Sequence, residues 1–312
     1  MQRLLIVDGH AILHRAYHAL PPLTNKDSQP IGAIYGFLSI LFRSIQNQKP
    51  THLVITFDMK EPTFRKKLFT EYQSHRPVID ESMVSQIVFL HEILSKMGIT
   101  IFELSGYEAD DVIGTLAKQA ENAEVIIITG DRDILQLVTD KIRVLMPVKG
   151  LSESKLFGIG EVEERMGVFP SEIIDLKALI GDPSDNYPGV PGIGPKTAIL
   201  LIKKYKTIEN IYKHIDELQG RVKDKLLSGE ESAKMSKQLA TIVTNAPIEL
   251  DWNTVKLNNL DRPDIRNLFE ELGFRSLITR LSVNSPLVFG GKNEKKIKPE
   301  VKKSNAEQTS LF

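Results

Sequence analysis

Three carboxylates crowd into the stretch SGYEADDVIG at residues 105–114: Glu108, Asp110 and Asp111. Close like charges raise one another's pKa and cost stability. Six more acids stand in similar settings. Asp8, Asp58 and Asp131 close the short apolar runs RLLIVD, HLVITFD and EVIIITGD, Asp133 follows in TGDRD, and Asp182 and Asp185 lie in GDPSDN. Any one of these reads as a helix cap or a turn residue. The set does not, because nine acids meeting in one cleft would repel strongly. Hard divalent cations relieve that repulsion, and all-oxygen ligands suit Mg²⁺ or Mn²⁺. Two such ions ~3.5–4 Å apart clamp an in-line displacement at phosphorus. The acids therefore predict a two-metal site for phosphoryl chemistry.

The elements that must position them alternate. The three runs that end in Asp read as strands, joined by ITIFE at 99–103 and IRVLMP at 142–147. Between them run helical periods: Ile34, Phe37, Leu38, Leu41, Phe42, Ile45; then Val84, Ile87, Val88, Leu94, Met97; then Val112, Ile113, Leu116, Ala117, Ala120. Continuous apolar strands alternating with amphipathic helices predict an α/β fold with a mostly parallel sheet covered on both faces. Ligands bind such sheets beyond the carboxyl ends of the strands, where Asp8, Asp58 and Asp131 fall. Glu108, Asp110 and Asp111 open a helix, whose dipole favours negative charge there. From about residue 170 to 283 the pattern is mainly helical. The expected division is 1–170 catalytic, 171–285 helical and nucleic-acid binding, and 286–312 a disordered tail with six Lys and three Glu.

Composition bounds the rest. The 312 residues carry 40 basic and 40 acidic side chains, and no Cys. Thiolate metal sites and disulfides are excluded, and no apolar run reaches the ~20 residues of a membrane span. With no signal peptide at the start either, a cytoplasmic protein without membrane contact is expected. With the nine acids set aside, 31 acidic residues face 40 basic ones, a balance of +9. A basic surface around an acidic pocket suits a polyanionic substrate.

Two segments could meet that substrate. GVPGIGPKTA at 189–198 fails the P-loop pattern, since Pro195 separates Gly194 from Lys196. A Gly- and Pro-rich turn between helices lets backbone amides approach phosphates, with Gly192, Gly194 and Lys196 as the contacts. FRKKLFTEYQSHRP at 64–77 carries Arg65, Lys66, Lys67 and Arg76, interleaved with Phe64, Phe69 and Tyr72, which suits phosphates and stacked bases. His10, His14 and His18 share a helix face. Without Cys or a fourth ligand they read as a plain face rather than a zinc site.

Taken together, VDGHAILHRAYHAL, FDMKEPTFRKKLFTEYQSHRP, GYEADDVIGTLA, TGDRDILQLV and LIGDPSDNYPGVPGIGPKTA are similar to the 5′ nuclease (flap endonuclease-like) family found at the front of bacterial DNA polymerase I. The resemblance spans roughly residues 3–283. It implies a PIN-like, Rossmann-like fold with a helical arch over the site, then a helix–two-turn–helix that grips duplex DNA and can bind K⁺. It implies that all nine acids serve the metals, with Asp131, Asp133, Asp182 and Asp185 mainly at the second. It implies that Lys177 and Arg76 assist catalysis, and that Tyr72 and position 73 handle the substrate. The family usually has Lys at position 73; here it is Gln73, which cannot supply positive charge to a developing oxyanion.

The resemblance predicts a monomeric 5′-3′ exonuclease and flap endonuclease, acting on 5′ flaps, nicked duplex and RNA-primed junctions in Okazaki fragment maturation and repair. The alternative is a catalytically weak relative that binds branched DNA. A small PIN ribonuclease is disfavoured by the helix–two-turn–helix stretch. A D-x-D phosphatase fails because His10 stands where its second Asp would be. No polymerase region follows, and the terminal QTSLF resembles a bacterial sliding-clamp-binding pentapeptide. Gln308, Leu311 and Phe312 would be its anchors, so a stand-alone nuclease with a clamp partner is expected.

Overall fold

The computed structural model describes residues 2–284 apart from Val78 and Ser152. The expected tail and its Gln308, Leu311 and Phe312 lie outside the described residues. In chain order the elements are β1 (Arg3–Asp8), α1 (Gly9–Ala19), α2 (Gly32–Gln48), β2 (His52–Thr56), α3 (Phe64–Leu68), α4 (Glu81–Met97), β3 (Thr100–Phe102), α5 (Ala109–Gln119), β4 (Glu124–Ile128), β5 (Ile142–Lys149), β6 (Glu153–Phe157) and α6 (Ile159–Met166). Helices follow: α7 (Ile173–Ile180), α8 (Pro195–Tyr205), α9 (Ile208–Lys213), α10 (Gly220–Ser228), α11 (Glu230–Ala240), α12 (Pro263–Glu271) and α13 (Arg275–Asn284).

The sheet runs β3-β2-β1-β4-β5-β6, parallel except for β6. β1 is central because both its faces are apolar. Leu4 and Ile6 face one core with α5 and α8–α10, while Leu5 and Val7 face another with α1, α2 and α4. The strand order reverses between β1 and β4, the switch point where open α/β sheets bind ligands. Asp8 ends β1 there, and Asp131 lies just past β4.

β6 is the strand that the apolar pattern did not signal. It is an exposed edge strand whose sequence, ESKLF, is mostly polar, and it pairs antiparallel with β5. Ile265, Phe269, Leu277 and Leu281 of α12 and α13 return to the core beneath α2. Among the described residues, the 57–80 connection, where a helical arch was expected, holds the five-residue α3 and a series of turns.

Candidate active site

Eight of the nine acids gather at the carboxyl edge of the sheet. Asp8 caps α1: its Oδ1 accepts from Ala11 N at 3.0 Å and its Oδ2 from Thr129 Oγ1 at 2.7 Å. Thr129 Oγ1 in turn accepts from Asp131 N at 3.0 Å, and Asp131 Oδ1 accepts from Asp133 N at 2.8 Å. The β4 loop thus ties three acids into one line. Asp58, two residues beyond β2, accepts from Ala109 N at 2.7 Å, which joins it to the start of α5. Glu108 accepts from Thr63 Oγ1, Tyr72 Oη and Arg65 Nη1, each at 3.2 Å.

The second half of the cluster comes from α7 and the loop after it. Asp182 and Tyr187 exchange two backbone hydrogen bonds, closing a six-residue loop that presents Asp182 and Asp185. Ser184 N and Oγ hold Asp182 Oδ1 at 2.8 and 2.6 Å. Asp133, Asp182 and Asp185 each offer an oxygen within 4.8 Å of the others. Lys177, 8 % exposed, ion-pairs with both Asp133 and Asp182.

The electrostatics follow from burial first and from crowding second. Burial pushes Asp8 up to about 7, and Asp58 and Asp131 add to the shift. Burial likewise raises Glu108 to about 7 and Asp133 to about 7, with Asp131 adding to the latter. Asp110 is driven well above the carboxylate range by burial, then by Asp131, Asp8 and Asp58. Burial works against Lys177, yet Asp133 and Asp182 keep it above the ordinary lysine value, so it stays charged. Burial works against Asp182 as well, but Lys177 and Ser184 hold it low.

The ninth acid is a correction. Asp111 is fully buried, and its two oxygens take a fork from Arg65 at 2.7 and 2.8 Å, with further donation from Glu108 N and Val243 N. No lone pair is left for an ion, so Asp111 is structural. Arg65 is corrected with it. At 2 % exposure it cannot reach DNA, and it also donates to the carbonyls of Leu239 and Thr241. Tyr72 is not a stacking platform: it is buried, stacks with Tyr187 and donates between Glu108 and Asp185. Phe64 lies under the Arg65 guanidinium, and Phe69 packs against the Tyr72–Tyr187 pair. Alternation of basic and aromatic residues carries no information about which side of the chain faces inward.

The remaining basic and polar positions divide. Lys66 Nζ donates to Tyr72 O, whereas Lys67 and Lys196 are exposed. Arg76 is half-exposed and pairs with Asp185 at 2.7 Å, and Gln73 Nε2 reaches the same carboxylate at 3.2 Å. In the 189–194 turn the close backbone approach is internal: a Cβ on Gly189 (φ +63°) would lie 2.2 Å from Gly181 N. Gly192 and Gly194 are exposed, and Gly192 O accepts from Lys225 Nζ at 2.8 Å. Sequence reasoning missed Thr129 and Ser184, whose hydroxyls aim the acids, and His10, which is no plain helix face. Its Nδ1 accepts from Asp58 N at 3.0 Å, and burial lowers its pKa. The i+2 spacing in TGD and DPS was the available signal for the two hydroxyls.

The comparisons with known proteins bear on this geometry. A family model described as 5′-3′ exonuclease, N-terminal resolvase-like domain, matches residues 3–167, and one described as 5′-3′ exonuclease, C-terminal SAM fold, matches residues 168–263. DNA polymerase I of Bacillus subtilis (strain 168) is 42% identical over 287 residues, which cover 91% of this chain and 33% of that protein. The chain spans about a third of the length of the curated relatives it matches. A bacteriophage T5 flap endonuclease, solved as a pseudo-enzyme-product complex with DNA and metal ions, superposes with a TM-score of 0.66 at 20% identity, covering 91% of this chain and 99% of that one. T5 5′-exonuclease with bound zinc gives 0.64 at 22% identity, covering 91% and 100%. These two likenesses establish the fold.

Proposed function

The chain belongs to the 5′-3′ exonuclease family, and we propose that it hydrolyses phosphodiester bonds at DNA 5′ ends, flaps, nicks and RNA-primed junctions. The observation that carries this reading is the gathering of eight carboxylates from separate segments, three of them within 4.8 Å of one another. Their donor set is all oxygen, and burial, with their mutual repulsion added to it, holds several near a pKa of 7. Both properties fit hard divalent cations, with Mg²⁺ the resident ion and Mn²⁺ a substitute. Asp8, Asp58, Glu108, Asp110 and Asp131 would hold one ion, and Asp133, Asp182 and Asp185, with Asp131 between the groups, a second. Two bound ions supply Lewis-acid polarisation of the phosphodiester and a water of lowered pKa.

The chain's own groups prepare that chemistry. Thr129 fixes Asp8 and Asp131 in one orientation, and Ser184 fixes Asp182. Lys177 pairs with both Asp133 and Asp182 and offsets one unit of their charge. The half-exposed Arg76 guanidinium, held over Asp185, can turn its free edge to a phosphate. Exposed Lys67 and Lys196 extend positive charge toward the flanking strands. K⁺ binding is assigned only to the helix–two-turn–helix as a whole. We assign the chain as a monomer acting in replication and repair. The clamp contact through Gln308, Leu311 and Phe312 rests on sequence alone. Among the described residues no helix is long and apolar enough to cross a membrane.

The test is cleavage of a 5′-labelled double-flap oligonucleotide with Mg²⁺ or with EDTA. Cutting near the flap base with Mg²⁺, absent with EDTA and in Asp8→Ala, is expected; Asp8→Ala should still bind the duplex. Binding without cutting by the unmodified chain would favour the branched-DNA-binding alternative, which Gln73 keeps open.

A further inference from the structure

Two residues from segments that meet beside the acids hold the left-handed backbone: Gln73 at φ +54° and Asn186 at φ +57°. Asn tolerates that region through its short polar side chain, whereas a long side chain such as Gln occupies it at a cost. Ser74 N donates to Glu71 O at 3.0 Å, so residues 71–74 form a β-turn with Gln73 in third place. A positive φ in that place ordinarily falls to Gly or Asn. Such strain persists only where the surroundings over-determine it, and it gathers at functional sites.

What holds the turn comes from the loop that carries Asp182 and Asp185. Asn186 Nδ2 donates to Glu71 O at 2.8 Å and to Ser74 Oγ at 2.9 Å, bracketing Gln73 from both sides. Gln73 N donates to Asp185 O at 2.9 Å. Asn186 is itself fixed: Asp182 and Tyr187 exchange backbone hydrogen bonds around it, and the buried Tyr187 ring stacks with Tyr72. Both acceptors of the Asn186 amide nitrogen lie on the turn rather than among the acids. The turn leads directly to Arg76, whose N donates to Gln73 O at 3.2 Å and whose guanidinium reaches Asp185 Oδ1 at 2.7 Å.

We propose that Asn186 is a positioning residue for cleavage: it locks the 71–76 turn in its strained form, and the turn presents the Arg76 guanidinium over Asp185, where a phosphate would meet it. The Arg76 side chain is half-exposed, so little packing of its own fixes it, and its order must come from the backbone it starts from. A guanidinium that forks onto a phosphate needs one approach direction. A misplacement of about 1 Å costs up to about a hundredfold in rate.

This inference rests on the nuclease reading above, and the experiment separates the two. The variants are Asn186→Gly, Arg76→Ala and the two together. Glycine keeps the positive φ without strain and removes only the side-chain hydrogen bonds. Hydrogen exchange of the protein without metal or DNA should show the amides of Gln73, Ser74 and Arg76 exchanging faster in Asn186→Gly, with the β1 amides unchanged. Single-turnover cleavage of the double-flap oligonucleotide with Mg²⁺ should fall about tenfold at saturating DNA, while the half-saturating DNA concentration stays within about twofold. In the Arg76→Ala background the same substitution should cost less than about twofold, because the group it positions is gone. An unchanged saturating rate, unchanged exchange of the turn, or the full loss in the Arg76→Ala background would overturn the positioning role and leave the nuclease reading standing. So would faster exchange of β1 as well, which would show a general loss of stability, or a loss confined to the half-saturating concentration. No cleavage by the unmodified chain would instead sink the nuclease reading, and the role in cleavage with it, whatever the exchange shows.

Discussion

Replacing Arg65 by Met should remove much of the protein's margin of stability, and replacing Asp111 by Leu as well should restore part of it. Arg65 is 2 % exposed and Asp111 is fully buried. Their fork uses the two terminal guanidinium nitrogens at 2.7 and 2.8 Å, and the remaining Arg65 N–H groups reach Glu108, Leu239 O and Thr241 O. Three segments therefore meet on one side chain: α3, the start of α5, and the 239–243 loop. Arg65→Met leaves a bare carboxylate in the core, and breaking one partner of a buried pair costs about 3–5 kcal/mol. Against a typical stability of about 5–15 kcal/mol, that is a large share. The double replacement by apolar groups of similar volume removes both charges and should recover part of the loss, the rest remaining because the Leu239 and Thr241 carbonyls and the Glu108 and Val243 amides lose these partners. Urea unfolding of the two single variants and the double variant measures the coupling.

The same series tests whether Asp111 belongs with the metal ligands. A structural Asp111 predicts that the double variant, once folded, still cleaves with Mg²⁺. The Mg²⁺ requirement should rise only modestly, since Glu108 loses one of its three donors. A double variant that is folded yet devoid of cleavage would refute the structural assignment and return Asp111 to the ligand set. A single Arg65→Met loss below about 1 kcal/mol would refute the burial argument itself.

Two further perturbations follow from the site. Asp8, Glu108 and Asp133 titrate near 7 when folded, against about 4 in an unfolded chain. Between those values the metal-free folded state binds protons the unfolded chain has lost, so its stability falls as pH rises through that window. Divalent ions bind the deprotonated carboxylates, so the melting-temperature gain on adding MgCl₂ should be small near pH 5 and large near pH 8. A gain that is flat across this range would contradict the account of buried, crowded carboxylates with raised pKa values. Gln73→Lys should raise single-turnover cleavage by about tenfold, less than the ~10²–10³ of an isolated oxyanion donor, because Arg76 and Lys177 already face the same acids; an unchanged rate would mean Gln73 carries no deficit.

What the sequence made legible was whatever depends on period and on strand ends. β1, β2 and β4 are apolar on both faces, so they had to be central, and an Asp just beyond each had to lie at the sheet's carboxyl edge. β6 escaped because an edge strand with one solvated face has no such run. The site's misassignments share a different cause. Asp110 and Asp111 are neighbours, and sequence treats them alike; on a helix they point about 100° apart, so one meets Asp131 and Asp8 while the other meets Arg65. Arg65 and Arg76 are both basic and belong to one motif, yet only the second reaches solvent. Facing depends on which helix a segment packs against, here through contacts more than 170 positions distant, such as Arg65 with Leu239 and Thr241. No local pattern encodes that. A buried cation and a buried anion of one motif should therefore be suspected first of holding each other, and assigned to substrate or metal only when one of them proves to have an oxygen or a nitrogen to spare.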